Sequence, residues 1–302
     1  MKKRHEKRIK RSFKKSIYLL ITTILLVVIT VQVYSSLIFK RPDRINLFIL
    51  DERPTFLSVS TTGESNYILN LYSDLKIKVP GGFGFYRVGA LNKLVDLEKD
   101  PSIFKRALSG TTLTFTDYYF YPKKVDINYG KKEDIKIIEP SIKNILLNRS
   151  NAGFFDRVYL GYKLLTLKKN SIRFLDAFEK VNEKKDLAFD SERFEEEYNG
   201  LFFQSTYRNE RLTVQILYTN EYSSAVMIAQ ILENSGIRVV DISKTKKADN
   251  SCKIKEKEKS FSQTAINLGR FFSCKVETGE PGISDIIFQI GDIEKKWVDV
   301  QK

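Results

Sequence analysis

The chain has 302 residues, 42% hydrophobic and 29% charged, a balance that excludes intrinsic disorder and leaves enough apolar residues for roughly two domain cores. Its net charge of +14 is uneven: residues 1–15 hold nine Lys/Arg and one Glu, or +8, leaving about +6 for the other 287. That remainder reads as solvated basic surface, because no cluster interleaves Lys/Arg with stacking aromatics, and no nucleic-acid partner is expected.

Ser16–Phe39 has no charged residue over 24 positions. As a helix it would reach about 36 Å, enough to cross a ~30 Å hydrocarbon core with some tilt. The Lys/Arg excess precedes it, which predicts a single-pass cell-membrane protein with a cytoplasmic N-terminus and extracytoplasmic remainder. The run is longer than a cleaved signal's apolar region, and Tyr34-Ser35-Ser36 is a poor cleavage site, so an uncleaved signal anchor is expected. The partners this implies are the lipid bilayer for 16–39 and anionic lipid headgroups for the tail 1–15.

From Ile45 to about Asp126 the pattern is strand-like: INLFIL, TFLSVS, NYILNLY and LKIKVP are short apolar runs, with TTGES at 61–65 as a hairpin turn. Pro80–Gly84 reads as a loop, followed by VGALNKLVDLEK, which suits a helix. PSIFKRALSGT is a second short helix expected to stop at Gly110, and TLTFTDYYFYP a strand. Two helices follow, Glu139–Leu147 and Phe154–Lys168, the second presenting Val158, Leu160, Tyr162 and Leu164/Leu165 along a broad apolar face. Lys180–Arg208 is rich in Glu and Lys and reads as a linker with a short helix at Ser191–Asn199.

Beyond Glu210 the pattern is clean. RLTVQILYT is a strand, Asn220 caps a helix that Gly236 ends, and IRVVDIS and SCKIKEK are strands. Ser260-Phe-Ser-Gln263 reads as a capping box opening SFSQTAINLGRFF, and CKVETG and SDIIFQIG are closing strands. The fold class is therefore α/β: a membrane helix, an α/β middle domain, and a small C-terminal α/β sandwich with βαβ-type units. The domains expected are 1–15 tail, 16–39 membrane helix, 45–180 middle domain, 181–208 linker and 209–302 C-terminal domain.

Cys252 and Cys274 are the only cysteines. In an oxidising compartment a disulfide is the natural reading, against two buried free thiols as the alternative. Neither has a Cys or His at ligand spacing, so no metal site is expected there. The one histidine, His5, lies in the tail, which removes Ser-His-Asp and Cys-His catalysis from the outer region.

VQILYTN, the helix ending ILENSGIRVVDIS and the final SDIIFQIGD resemble the C-terminal domain of LytR-type envelope proteins, although Tyr218-Thr219-Asn220-Glu221 keeps that family's Asn and loses its Gly. SDLKIKVPGGFGFYRVGALNKLVDLE resembles the LytR–CpsA–Psr catalytic domain. That resemblance implies transfer of anionic glycopolymers from a polyprenyl-pyrophosphate carrier to peptidoglycan, with arginines on the pyrophosphate and carboxylates holding a divalent cation or taking a proton. Here Ser73, not Arg, precedes Asp74, TFLSVSTTGESNYIL lacks the opening Arg-Ser-Asp, and Arg149 and Arg157 read as isolated. The expectation is a degenerate domain in a non-catalytic envelope protein that binds a wall polymer or an envelope protein. No cofactor is expected, a divalent cation entering only under the alternative of an active transferase.

Asp74 and Arg87 are the catalytic or phosphate-contacting candidates, each set against an ordinary surface role. Gly81-Gly82-Phe83-Gly84 matches no phosphate-binding loop, and chain reversal explains its glycines. Tyr118–Tyr121 alternate as strand aromatics that could face a sugar or lipid. Asn148-Arg149-Ser150 fits a glycosylation acceptor but is common by chance.

Overall fold

The structure, a computed structural model, describes residues 2–51, 53–123, 141–181, 187–245, 251–257 and 260–298. It is a mixed α/β protein with an apolar N-terminal helix. Helix α1 (Lys2–Ser35) contains an 18-residue apolar window, Tyr18–Ser35, none of it buried against the rest of the protein. Within it the Thr22, Thr23 and Thr30 hydroxyls donate to carbonyls four residues back at 2.8–2.9 Å, so these polar groups need no water.

The helix does not continue to Phe39. Ser36 is extended, and Ser36 and Leu37 are buried against the outer body. A one-turn helix, α2 (Leu37–Lys40), follows. Its first N–H, that of Leu37, donates to Asp156 Oδ1 at 2.7 Å. A carboxylate from a distant helix thus stops the membrane-length helix at the point where the chain leaves it.

Strands β1 (Arg44–Ile49), β2 (Thr55–Ser60) and β3 (Asn66–Asn70) form an antiparallel meander turned at TTGES. β4 (Lys76–Val79) pairs with β5 (Gly84–Arg87) across a turn in which Gly81 and Gly82 have φ of 95° and 86°. The expected loop is thus a hairpin turn, and a strand precedes the helix α3 (Leu91–Glu98). Helix α4 (Ser102–Thr112) runs through Gly110 and ends at Leu113, which is left-handed. Gly110 marks close packing instead of a stop: a Cβ there would lie 3.1 Å from Pro80 Cγ. The strand expected from Thr112 shortens to β6 (Tyr118–Tyr121).

Then come α5 (Ile142–Leu147), β7 (Arg149–Ser150), α6 (Phe154–Thr166), β8 (Ile172–Leu175), β9 (Glu179–Val181), β10 (Leu187–Phe189) and α7 (Ser191–Tyr198). The expected start of the first of these helices, Glu139, lies outside the described residues. On α6 the face expected to be apolar is split. Leu160 is buried and Leu164 half-buried, one turn apart, whereas Val158, Tyr162 and Leu165 fall on the opposite side and are exposed.

Two sheets result, ordered β7-β6-β1-β2-β3-β8 and β5-β4-β10-β9. The first is buried on both faces, and the two-residue period divides its side chains. Ile45, Leu47, Ile49, Leu57 and Ile68 pack with Leu160 on one side. Phe48, Leu50, Phe56, Tyr67 and Leu69 pack toward α3 and α4 on the other. The charge-rich stretch read as a linker also enters this second core: Phe189, Phe194 and Phe202 are buried there, with Phe194 and Phe202 stacked at 6.1 Å. Between them Glu192, Arg193, Glu196 and Glu197 are exposed, which gave the segment its linker-like composition.

The C-terminal part comprises α8 (Ser205–Glu210), β11 (Thr213–Tyr218), α9 (Tyr222–Asn234), β12 (Arg238–Lys244), β13 (Lys253–Glu256), α10 (Gln263–Phe272), β14 (Lys275–Thr278), β15 (Ile286–Gln289) and α11 (Glu294–Trp297). Its sheet runs β12-β11-β15-β13-β14, parallel except between β13 and β15. Cys252 and Cys274 are joined as a disulfide, with Cα atoms 4.8 Å apart, at the start of the parallel pair β13 and β14.

Neither helix start in this part follows the local signal. Glu221, not Asn220, occupies the cap position of α9, and its side chain caps nothing; the Glu294 carboxylate from α11 accepts the N–H groups of Asn220 and Glu221 just before the helix. For α10 the cap is Ser262, two residues after the expected Ser260, and its Oγ accepts from Ala265 N–H at 3.0 Å. The Glu210 carboxylate adds bonds from the N–H groups of Gln263 and Thr264 at 2.8 and 2.9 Å.

Candidate functional site

The first sequence candidates, Asp74 and Arg87, face each other across the base of the β4–β5 hairpin, with Arg87 Nε 3.7 Å from Asp74 Oδ1. Both side chains are partly exposed, and neither lines the two cavities described below. A half-exposed ion pair of this kind contributes little to stability. Its position suits it to hold the hairpin base.

A different group of residues converges at the end of the first sheet. Tyr119, Tyr121, Arg149, Ser150, Arg157 and Pro101 line an open pocket of about 360 Å³. Tyr119 and Tyr121 alternate on β6 and so share a face, with ring centroids 6.2 Å apart. Both pack on Phe104 of α4, at 5.6 and 4.8 Å. Burial, and then the neighbouring Tyr121 and Asp100, push the Tyr119 hydroxyl up to about 12, so it stays protonated and can donate. The platform is therefore rigid and largely buried.

Arg149 reaches the pocket from β7, half-exposed and 3.7 Å from Asp96. Arg157 reaches it from the first turn of α6. Its Nε donates to Ala152 O at 3.2 Å, and its Nη1 to the carbonyls of Ile145, Leu146 and Asn148 at 3.1, 3.2 and 2.7 Å. Those bonds close the C-terminal end of α5, where carbonyls lack helical partners. Among the described residues Nη2 has no protein acceptor, so one edge of a locked guanidinium remains for a ligand.

Arg149 and Arg157, read as isolated from their spacing, are thus brought to one pocket by the turn between α5 and α6. Only part of this was legible in the sequence. The i, i+2 pair Tyr119 and Tyr121 had to share a face, but nothing local marks Arg149 as belonging to the strand beside them. The register confirms the neighbourhood, pairing Tyr121 with Arg149. Pro101 supplies the wall nearest a second ion pair, in which Arg106 Nη2 meets Asp100 Oδ2 at 3.0 Å. Burial works against the Asp100 carboxylate, but hydrogen bonds from Ser102 and the Arg106 charge hold it below the usual range.

The pocket offers donors, aromatic faces and positive charge, which suit a sugar bearing phosphate groups. None of its lining residues is a carboxylate. Among the described residues no three of His, Cys, Asp and Glu converge as a metal-ligand group.

No protein-family model matches the chain, and no curated protein matches it. Solved structures that match part of the chain include Bacillus subtilis TagT, at a TM-score of 0.37 and 10% identity, covering 51% of this chain and 87% of that one. A second is the LytR-CPS2A-psr family protein YwtF (TagT) with bound octaprenyl pyrophosphate lipid, at 0.36 and 9%, covering 51% and 87%. Bacillus subtilis TagU stands at 0.34 and 9%, covering 53% of this chain and 95% of its own.

Proposed function

We propose that the chain is a cell-envelope protein that holds an anionic wall polymer without transferring it. It is tethered by the apolar helix, with the Lys/Arg-rich tail in the cytoplasm. The polymer's sugar-phosphate backbone lies on Tyr119 and Tyr121 while Arg149 and the free edge of Arg157 pair with its phosphates. The C-terminal α/β unit, which resembles the LytR C-terminal domain in sequence, provides a further surface for a wall polymer or an envelope protein. The observation that carries this reading is the convergence of two tyrosines and two arginines on one pocket. What favours binding over turnover is that the pocket has no carboxylate to take a proton, and Arg157 spends most of its donors on backbone carbonyls.

Titrating a glycerol-phosphate oligomer into the full-length chain in mild detergent tests it. Arg149→Ala should weaken binding by about tenfold or more, the cost of one charge-assisted phosphate contact, and Tyr121→Ala by a similar factor. Unchanged affinity in both variants would remove the pocket from the argument.

The second reading is an active transferase, favoured by the same meeting of Arg149 and Arg157 at one place. Metal-dependent release of polymer from a pyrophosphate-linked lipid by the full-length chain would replace the binding reading with that one.

A further inference from the structure

A larger cavity lies elsewhere, where the chain leaves the membrane-length helix. It has a volume of about 660 Å³ and sits between α2, the start of β1, α8 and α10. Ser35, the last residue of the apolar window, is part of its wall. The cavity therefore adjoins the end of the segment long enough to cross a bilayer, at the depth where lipid phosphates lie.

The charges lining it are unbalanced. Five cations reach it, Lys40, Arg41, Arg44, Lys105 and Arg270, against two carboxylates, Asp117 and Asp156. Both carboxylates are engaged by backbone donors: Asp117 accepts from Asn46 N–H at 2.9 Å, and Asp156 from Leu37 at 2.7 Å and Gly153 at 3.3 Å. Arg44 is neutralised by Glu64 at 3.1 Å. Lys105 donates to the Phe271 carbonyl and sits 3.7 Å from that residue's ring centroid. Lys40, Arg41 and Arg270 remain, and among the described residues none of them has an ion-pair partner. Burial and the Arg270 charge both push the Lys40 ammonium down, with Asp156 opposing, so the two cations repel each other across the cavity. A bound anion would relieve that repulsion.

We infer that this cavity is a second anion site, in which Lys40 and Arg41 at the membrane exit and Arg270 of α10 clamp a phosphate ester group. The ligand bridges the membrane exit to the C-terminal unit. Phe271 and Ile45 supply apolar wall beside the charges, as an ester with a hydrocarbon or glycerol part requires. The phosphate could come from a bilayer lipid headgroup or from a soluble phosphate ester; the chemistry is shared.

The experiment reconstitutes the full-length chain into phosphatidylcholine nanodiscs with and without phosphatidylglycerol, and counts retained phosphatidylglycerol per chain by native mass spectrometry. A parallel titration adds inorganic phosphate to the detergent-solubilised chain. Two variants are compared: Lys40→Gln with Arg270→Gln, and Gln263→Glu, which places a negative charge on the cavity wall from an exposed position at the start of α10. One retained phosphatidylglycerol, reduced about tenfold or more in both variants, supports the site and assigns the lipid source. Phosphate binding lost in both variants supports it with the soluble source. Lipid retention and phosphate affinity equal in wild type and variants, with thermal melting unchanged, would overturn it.

Discussion

The Glu294 carboxylate accepts the backbone N–H of Asn220 at 3.0 Å, across 74 residues of chain. It also accepts from Glu221 at 3.3 Å and from Thr219, so one buried acidic side chain holds the three successive N–H groups that lead into α9. A negative charge at a helix N-terminus also interacts favourably with the helix dipole. Glu294→Ala would leave three donors unpaired in a largely buried setting and should destabilise the protein by about 2–3 kcal/mol. Glu294→Gln keeps the acceptor oxygen but loses the charge, and should cost about half as much. Urea denaturation followed by circular dichroism measures both; equal stability of Ala, Gln and wild type would show that α9 needs no such cap.

That cap also shows where the sequence stops being readable. Strands β1 to β3 are legible because each is a short apolar run and TTGES has turn chemistry. The C-terminal alternation of strand and helix is legible because each helix has an apolar face of its own. β5, β8 and β9 escape notice because a three- or four-residue strand is defined by its partner, and the partner of β8 is β3, about a hundred residues earlier. Asn220 has the right side chain for a cap, but the helix starts one residue later, with Glu221 at the cap position and the Asn220 N–H held by Glu294 of α11. Gly110 has the composition of a helix stop, yet it serves close approach to Pro80. Arg149 and Arg157 share a pocket only because α5 turns back onto α6, a tertiary fact that no local spacing encodes.

The disulfide between Cys252 and Cys274 spans a separation of 22 residues and sits in the C-terminal core, where both cysteines are largely buried. It joins the residues immediately before β13 and β14, whose first pair is Lys253 and Lys275. Beyond the loss of chain entropy in the unfolded state, it fixes the register of that parallel pair. Replacing both cysteines by serine should lower stability by about 3 kcal/mol and the melting temperature accordingly. The intact protein should weigh two protons less under non-reducing conditions than after reduction and show the same lower melting point in reductant. A wild type insensitive to reductant, with no mass change, would restore the free-thiol reading.

Gly269 lies on the buried face of α10 over β14. A Cβ there would overlap Val276 Cγ2 and stand 3.1 Å from the Cys274 carbonyl oxygen. In a free helix Ala is favoured over Gly by about 1 kcal/mol. Here the backbone carbonyl cannot yield and Val276 is held in a strand, so Gly269→Ala should destabilise by about 1–3 kcal/mol despite its better helix propensity. Pairing it with Val276→Ala, which removes the overlapping methyl, should recover part of the loss. A double-mutant cycle measures the coupling, and strictly additive effects would show that the helix shifts to make room.

Asp117 and Lys105 give the stability a pH profile whose sign follows from their surroundings. Burial raises the Asp117 carboxyl from the ordinary 3.8 to about 6, against the opposing pull of the Asn46 N–H and the Lys105 charge. The native state therefore keeps a proton that the unfolded chain has released, and this group's contribution falls as pH rises from about 4 to about 6. Burial lowers the Lys105 ammonium from 10.5 to about 8, with Asp117 opposing and Arg106 assisting. Its native form gives up a proton that the unfolded chain retains, so its contribution rises between about 8 and about 10. The two together predict a shallow trough between pH 6 and 8. Asp117→Asn keeps an oxygen to accept from Asn46 and should flatten the acidic arm alone; Lys105→Met should flatten the basic arm alone. Denaturation midpoints measured from pH 4 to 10 for the three proteins decide it. Parallel profiles for wild type and Asp117→Asn below pH 6 would mean that this carboxylate is solvated in the folded state and its burial plays no part in stability.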